Sequence, residues 1–361
     1  MYRKLALPFV IALTVGSVGA VGDQWPSTSL TPPRATVEGW SPERAARYLD
    51  SRQADWFEWK TAAAPEGPCV SCHTGMTYLL ARPALRQRLG EAQPTRYETG
   101  LLGRLRHDVG NKAESYLRPT EVVFAALFLG PSGSTARVTD EGHKALDQLW
   151  ALQEREGASK GGWDWLMVNL DPWEHSQSTF FGTAIAALAV GNAGAGYAAE
   201  RGVAAHVADL KTYFQSAATA RRPLHDRLAL LWAASKQRDI LSAGERTALI
   251  ELALAKQQAD GGWDVASLGP WDAHPDAPAN SGSSSYATAF VTFVLQRAGV
   301  SSFDARLSRA IAWLTDHQDR ESGAWPAVSM NKKYPAGSMQ SMFMQDAATA
   351  FASLALIEAG R

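Results

Sequence analysis

Cysteine is almost missing from this chain: Cys69 and Cys72 are the two in 361 residues, which excludes a scaffold stapled by disulfides across long loops. A charge surplus is missing too. With 35 basic against 36 acidic residues there is little to gather along a phosphate backbone, so nucleic acid is set aside as a partner. Beyond the N-terminal segment no run is apolar for the length a membrane span needs. Nor does any stretch from Ser41 onward alternate apolar and polar residues as a half-buried strand would. Hydrophobic residues at 46% and charged residues at 20% belong to a folded chain and exclude a disordered one.

The N-terminus carries the first positive signal. Arg3 and Lys4 precede an apolar run from Leu5 to about Val15, and Val18-Gly19-Ala20 offers small residues for cleavage, the pattern of a signal peptide over residues 1–20. A periplasmic or otherwise exported protein is expected. The membrane becomes a partner only if this segment is retained as an N-terminal anchor. Residues 21–40, with Pro26, Pro32 and Pro33, read as an extended lead-in to a single domain over 41–361.

That domain reads as all-α. Ser41-Pro42 places a capping side chain before a proline at the first helical position, and Ser242/Glu245 and Ser301/Asp304 have the spacing of reciprocal caps. Leu307, Ala310, Ile311 and Leu314 fall on one stripe of a helix with a wet outer face. A second kind of helix, poor in charge and rich in alanine, recurs at 180–190, 286–295 and 347–357 and suits an inner layer. Glutamine, a short spacer, glycine and tryptophan mark the junctions between the two kinds: Gln153 to Trp163, Gln257 to Trp263, Gln318 to Trp325. The spacing fits a unit of roughly fifty residues, with 204–236 as a degenerate copy, 42–59/76–89 and 97–108/119–130 as two earlier pairs, and six pairs in all. As a repeated feature, the glutamines and tryptophans are expected to pack and to do no chemistry.

These junctions resemble those of the α/α-toroid superfamily of squalene–hopene cyclases and protein prenyltransferase β subunits. The resemblance implies a barrel of six outer and six inner helices around a central apolar cavity. It does not bring the chemistry: the Asp-x-Asp-Asp acid of the cyclases is not in this sequence, and both cysteines are committed to one local motif, unlike the zinc set of the prenyltransferases.

The local motif is Cys69-Val70-Ser71-Cys72-His73. Two thiols at this spacing can add to the two vinyl groups of a haem, and the next imidazole then reaches the iron. One covalent haem c is expected, bound by Cys69 and Cys72 with His73 as proximal ligand, in the outer-to-inner loop of the first pair. A thioredoxin-like dithiol would expect a βαβ context, and a zinc site would need a second ligand cluster. Two loops are copies of each other: Gly161-Gly162-Trp163-Asp164 leads to Asp171-Pro172-Trp173-Glu174-His175, and Gly261-Gly262-Trp263-Asp264 leads to Gly269-Pro270-Trp271-Asp272-Ala273-His274. Closed into a ring, they are expected at the same end as the haem, with Pro172-Trp173 and Pro270-Trp271 beside it. Glu174, His175, Asp272 and His274 are then the candidate catalytic residues, against the plainer reading of loop packing inherited by duplication. Met339, His175 and His274 are candidates for the distal iron position. His107, His143, His206, His225 and His317 are read as surface or capping residues.

The reading that follows is a metal-binding monohaem cytochrome c acting in periplasmic electron transfer with a redox partner protein. The alternative is a haem-dependent oxidoreductase whose cavity takes a small or isoprenoid-like apolar substrate. Whether the protein is an enzyme stays open at this point.

Overall fold

Helix caps written into the sequence set the frame. In the computed structural model, which describes residues 39–111, 115–130, 138–217 and 219–361, Ser41 accepts from the Arg44 amide with Pro42 in the first turn. Ser242 and Glu245 cap each other reciprocally, as do Thr95 and Glu98. Ser301 is not a cap: the helix begins later, at Ala305, and Asp304 itself accepts from the Arg306 and Leu307 amides. The signal peptide and nearly all of the lead-in lie outside the described residues. Residues 37–361 form one compact unit.

The outer helices are α1 (Pro42–Glu58), α3 (Arg96–Gly110), α5 (Asp140–Ala151), α8 (Ala204–Ser216), α10 (Ala243–Leu254) and α12 (Ala305–Asp316). The inner ones are α2 (Gly75–Leu89), α4 (Arg118–Leu129), α6 (Thr179–Ala193), α9 (Leu224–Ala234), α11 (Ser285–Arg297) and α13 (Phe343–Glu358), with a single turn, α7 (Ala195–Ala198), after α6. No strand occurs among the described residues. The class is all-α, as the sequence implies.

Inner helices pack side by side in the order α4, α6, α9, α11, α13, α2, and α3 touches both α2 and α4. The glutamine junctions tie the order together. Gln153 Nε2 donates to Gly161 O and to His206 O on the next outer helix; Gln257 Nε2 does the same to Gly261 O and Arg306 O. Gln318 repeats it across the chain ends, donating to Gly323 O at 2.8 Å and Ser41 O at 3.0 Å while accepting from Ser41 N at 2.6 Å. Each tryptophan donates its indole N–H back to the preceding outer helix: Trp163 to Leu149 O, Trp263 to Ala253 O, Trp325 to Leu314 O. All three are fully buried, and the packing role expected of them is what the geometry displays. The glycine is needed at these junctions. Gly161 has φ 86°, and a Cβ there would lie 2.2 Å from Asp209 O of the neighbouring repeat.

All inner helices start at the same end. Thr120 in α4 accepts from Leu166 N of the loop before α6, Leu224 N at the start of α9 donates to Gly269 O, and Phe343 at the start of α13 stacks on His73, just before α2. Below them, aromatic rings from the inner helices fill the middle. Phe290 meets Phe351 at 5.1 Å and stacks in parallel with Tyr286, and His225 lies 4.8 Å from Phe290. His225 is therefore a core residue with no exposed surface, and not the surface or capping residue its helix-end position suggests.

Candidate functional site at the mouth of the ring

The Cys69–His73 loop is fixed by its own chain. Ser71 Oγ accepts from the Thr74 and Gly75 amides, capping α2, and Cys69 O accepts from the Trp56 indole. Thr74 donates its hydroxyl to Asp346 Oδ2 at 2.8 Å, which leaves the oxygen to accept from His73 Nδ1, also at 2.8 Å. That hydrogen bond assigns the proton to Nδ1 and the lone pair to Nε2. Asp346 is shared by Arg52 Nε and the Tyr48 hydroxyl, each at 2.8 Å. Burial nonetheless raises its carboxyl above the ordinary range. Burial, with the Arg52 charge, pushes His73 down to about 3, so the imidazole is neutral at physiological pH.

Glu174 comes to this loop from the repeat-three copy. It lines the same cavity as His73, and burial pushes its carboxyl up to about 7 against a smaller lowering by the neighbouring Cys72 thiol. Burial likewise holds the Cys72 thiol well above its ordinary value, and raises Cys69, the more exposed of the two, to about 11. Neither cysteine is in a disulfide. A cavity of about 30 Å³, lined by His73, Asp171, Trp173, Glu174, Tyr334 and Phe343 among others, lies between the two loops.

The duplicated loops do converge, by binding each other. His274 Nε2 meets Asp171 Oδ2 at 2.7 Å, and Ser176 donates from N and Oγ to Asp272. Asn331 of repeat six joins them, accepting from Asp171 N and donating to Asp171 O. The Asp171–Pro172 and Gly269–Pro270 peptides are both cis. Trp173 stands 6.0 Å from His73, as the register implies, but Trp271 packs elsewhere, on His175 and His225.

The three distal-ligand candidates are all engaged away from His73. His175 Nδ1 accepts from Gln177 N, and its Nε2 faces Asp226 Oδ2 at 3.2 Å. Burial disfavours the charged His175, yet Asp226 outweighs it and the value rises. His274 is held by Asp171, and Met339 Sδ accepts from Arg52 at 2.7 Å. None makes a hydrogen bond or ring contact with His73 among the described residues.

These contacts correct the metal-binding, electron-transferring cytochrome reading. Among the described residues no group of three or more His, Cys, Asp and Glu side chains is placed to hold a metal ion. The Nδ1–H of His73 suits an axial ligand, but the space beside it does not suit a haem. Its ring is stacked face to face on Phe343 at 3.5 Å with 17° between planes, Trp56 covers an edge, and the adjoining cavity is about 30 Å³, whereas cofactor pockets run to roughly 300–1,000 Å³. Of the thiols meant for the vinyl groups, Cys72 is buried and Cys69 half-buried.

Sequence reasoning passed over Asp226, Tyr286, Arg52 and Asp346, and gave His225 a surface or capping place. A signal was there: Glu121, Asp226 and Asp346 each place an acidic residue in the first turn of an otherwise apolar inner helix.

No protein-family model matches this chain, and no curated protein does. A solved structure named as a glycosidase aligns with a TM-score of 0.42 and 13% identity over 88% of this chain and 98% of its own. So coarse a likeness says nothing about chemistry at the mouth of the ring.

Proposed function

We propose that Cys69 and Cys72 form a dithiol–disulfide site, with Glu174 as the proton acceptor for Cys72, in an exported protein of α/α-toroid type. What supports this is that the chain's two cysteines are both unpaired and share one short loop, and that Glu174, lifted by burial to about 7, lines the cavity at the end of that loop. This arrangement calls for no thioredoxin fold. It calls for a pair, and for a base that stays close to half-ionised at neutral pH. The partner is a disulfide, carried by a protein or a small molecule in the exported compartment.

The exchange balances as follows. Cys69, the less buried thiol, loses its proton to solvent and attacks one sulfur of the partner disulfide, expelling the other as a thiolate. Cys72 gives its proton to Glu174 and attacks Cys69 Sγ, releasing the second partner thiolate. The pair ends as a disulfide and the partner as two thiols. With both thiols held protonated by burial, exchange is expected to be slow.

The exported chain is equilibrated in graded ratios of reduced to oxidised glutathione, acid-quenched, alkylated and weighed by mass spectrometry. Both thiols are expected to disappear together, and Glu174→Gln to slow the step and remove its pH dependence near 7. Thiols that remain alkylatable across the whole range overturn the reading. So does a tetrapyrrole that stays attached to them through acid-solvent extraction.

A further inference from the structure

The cavity between the first-repeat loop and the repeat-three loop is lined by groups that accept hydrogen bonds and are given none. Glu174 is 7% exposed and His73 8%. Among the described residues the Glu174 carboxyl accepts from no N–H or O–H group, and His73 Nε2 has no hydrogen-bond partner. With Nδ1–H given to Thr74, whose hydroxyl goes on to Asp346, Nε2 can only accept. Asp171 adds a second carboxyl to the lining: its Oδ2 meets His274 Nε2, and its buried Oδ1 has no partner. Buried acceptors left alone cost free energy that a matching donor recovers.

These groups are in place before anything binds. Glu174 and Leu170 exchange backbone hydrogen bonds, and Asn331 bonds both backbone groups of Asp171. The repeat-five copy of the loop has Gly269 in the place of Asp171 and Asp272 in the place of Glu174, and both oxygens of Asp272 accept from Ser176. Of the two copies, the repeat-three loop is the one that keeps unspent carboxylate oxygens. No lysine or arginine lines the cavity. Arg52, whose charge reaches His73, is bound to Asp346 and Asp55, and Lys332 stands over the Tyr334 ring. Burial holds the Glu174 carboxyl up at about 7 with no cation to oppose it.

We infer that this cavity binds a primary ammonium group, whose N–H donors meet Glu174 and His73 Nε2 and whose charge is balanced by Glu174 and Asp171, between the aromatic walls of Trp173 and Phe343. Size narrows the class. About 30 Å³ admits one or two water-sized groups, enough for ammonium or the head of a small amine and too little for a guanidinium or a quaternary ammonium. An anion would meet two carboxyls. A metal ion is not served, because no group of three or more His, Cys, Asp and Glu side chains is placed to hold one among the described residues. Met330, Tyr334 and Gln340 of repeat six line the cavity and are half-buried, which gives the ligand its way in. The site uses Glu174 and neither thiol, so it stands apart from the dithiol reading.

Methylammonium chloride is the probe, titrated onto the full-length chain at about pH 8, above the Glu174 value and below that of the amine. Binding is followed by saturation transfer from the protein to the methyl protons of the probe. A ligand of so few atoms is expected to reach a millimolar Kd at one site. Ammonium chloride is expected to displace it, and tetramethylammonium chloride at equal ionic strength, which has no N–H and is too large, is not. Glu174→Gln and Asp171→Asn each remove a charge and keep the side-chain shape, the second still offering an oxygen to His274. Each is expected to weaken binding about tenfold or more while keeping native helicity by circular dichroism. If Asp171→Asn does not fold, Glu174→Gln decides by itself. The inference is overturned by the absence of saturable transfer in the wild type, or by unchanged affinity in the folded variants. Displacement by potassium or tetramethylammonium as effective as by ammonium overturns it too, since the N–H bonds would then count for nothing. Binding with no glutathione-dependent oxidation keeps this site and removes the dithiol reading; oxidation with no binding does the opposite.

Discussion

Closing the ring is work for one side chain, and Gln318→Ala measures it. Gln318 makes three hydrogen bonds, two to the backbone of Ser41 and one to Gly323 O. At about 1 kcal/mol net for each, with a further penalty for any buried backbone group left alone, the substitution is expected to cost about 2–4 kcal/mol. Gln257→Ala supplies the control, because Gln257 makes the same pair of Nε2 bonds between repeats five and six, where chain order already holds the helices together. In a closed ring the two substitutions cost similar amounts. In an open array Gln318 would merely anchor a fraying end. Equilibrium urea unfolding gives the free energies, and native-state hydrogen exchange in α1 locates the loss, which should appear as faster exchange in the first turns after Ser41. A cost below about 1 kcal/mol for Gln318→Ala beside a full cost for Gln257→Ala would refute the closed order of helices.

Gly161→Ala is expected to destabilise by about 3 kcal/mol, since its Cβ meets backbone of the next repeat at 2.2 Å, whereas Gly157→Ala, with φ 70° but open space around it, should cost nearer ~1 kcal/mol in thermal or urea unfolding. Asp346→Asn removes the buried partner of Arg52 and should cost about 3–5 kcal/mol by urea unfolding at pH 7; a cost under ~1 kcal/mol would mean the pair is solvated. Glu174, lifted from 4.5 in the unfolded chain to about 7 in the fold, gives stability that is complete below pH 4.5 and lost as pH rises through 7. Glu174→Gln has nothing to lose there, so its stability relative to wild type should improve by about 3 kcal/mol between those pH values; parallel curves would show that the carboxyl is not desolvated.

What the sequence made legible was whatever the repeat states more than once. Gln153, Gln257 and Gln318 with their tryptophans announced a junction three times over, and each occurrence does in the structure what the others do. The convergence of the Asp171–His175 and Asp272–His274 loops on one end followed from the same regularity. What they touch there did not, because contacts such as His274 with Asp171, or Asn331 with both faces of Asp171, join repeats that no local pattern relates. The distal-ligand expectation failed for that reason: His175, His274 and Met339 had partners in Asp226, Asp171 and Arg52 that only the packed ring reveals. His225 looked like a helix-end residue because its helix does begin there. Its burial comes from Phe181, Phe290 and Trp271 arriving from other repeats.

The common direction of the inner helices has an electrical consequence at short range. Each first turn carries about half a positive charge on its unpaired amides, and the outer helices, which run the other way, bring their carbonyl ends to the same rim and largely cancel that field at a distance. Within a first turn the field survives. Glu121, Asp226 and Asp346 occupy such turns, where it offsets part of the penalty for burying a carboxylate.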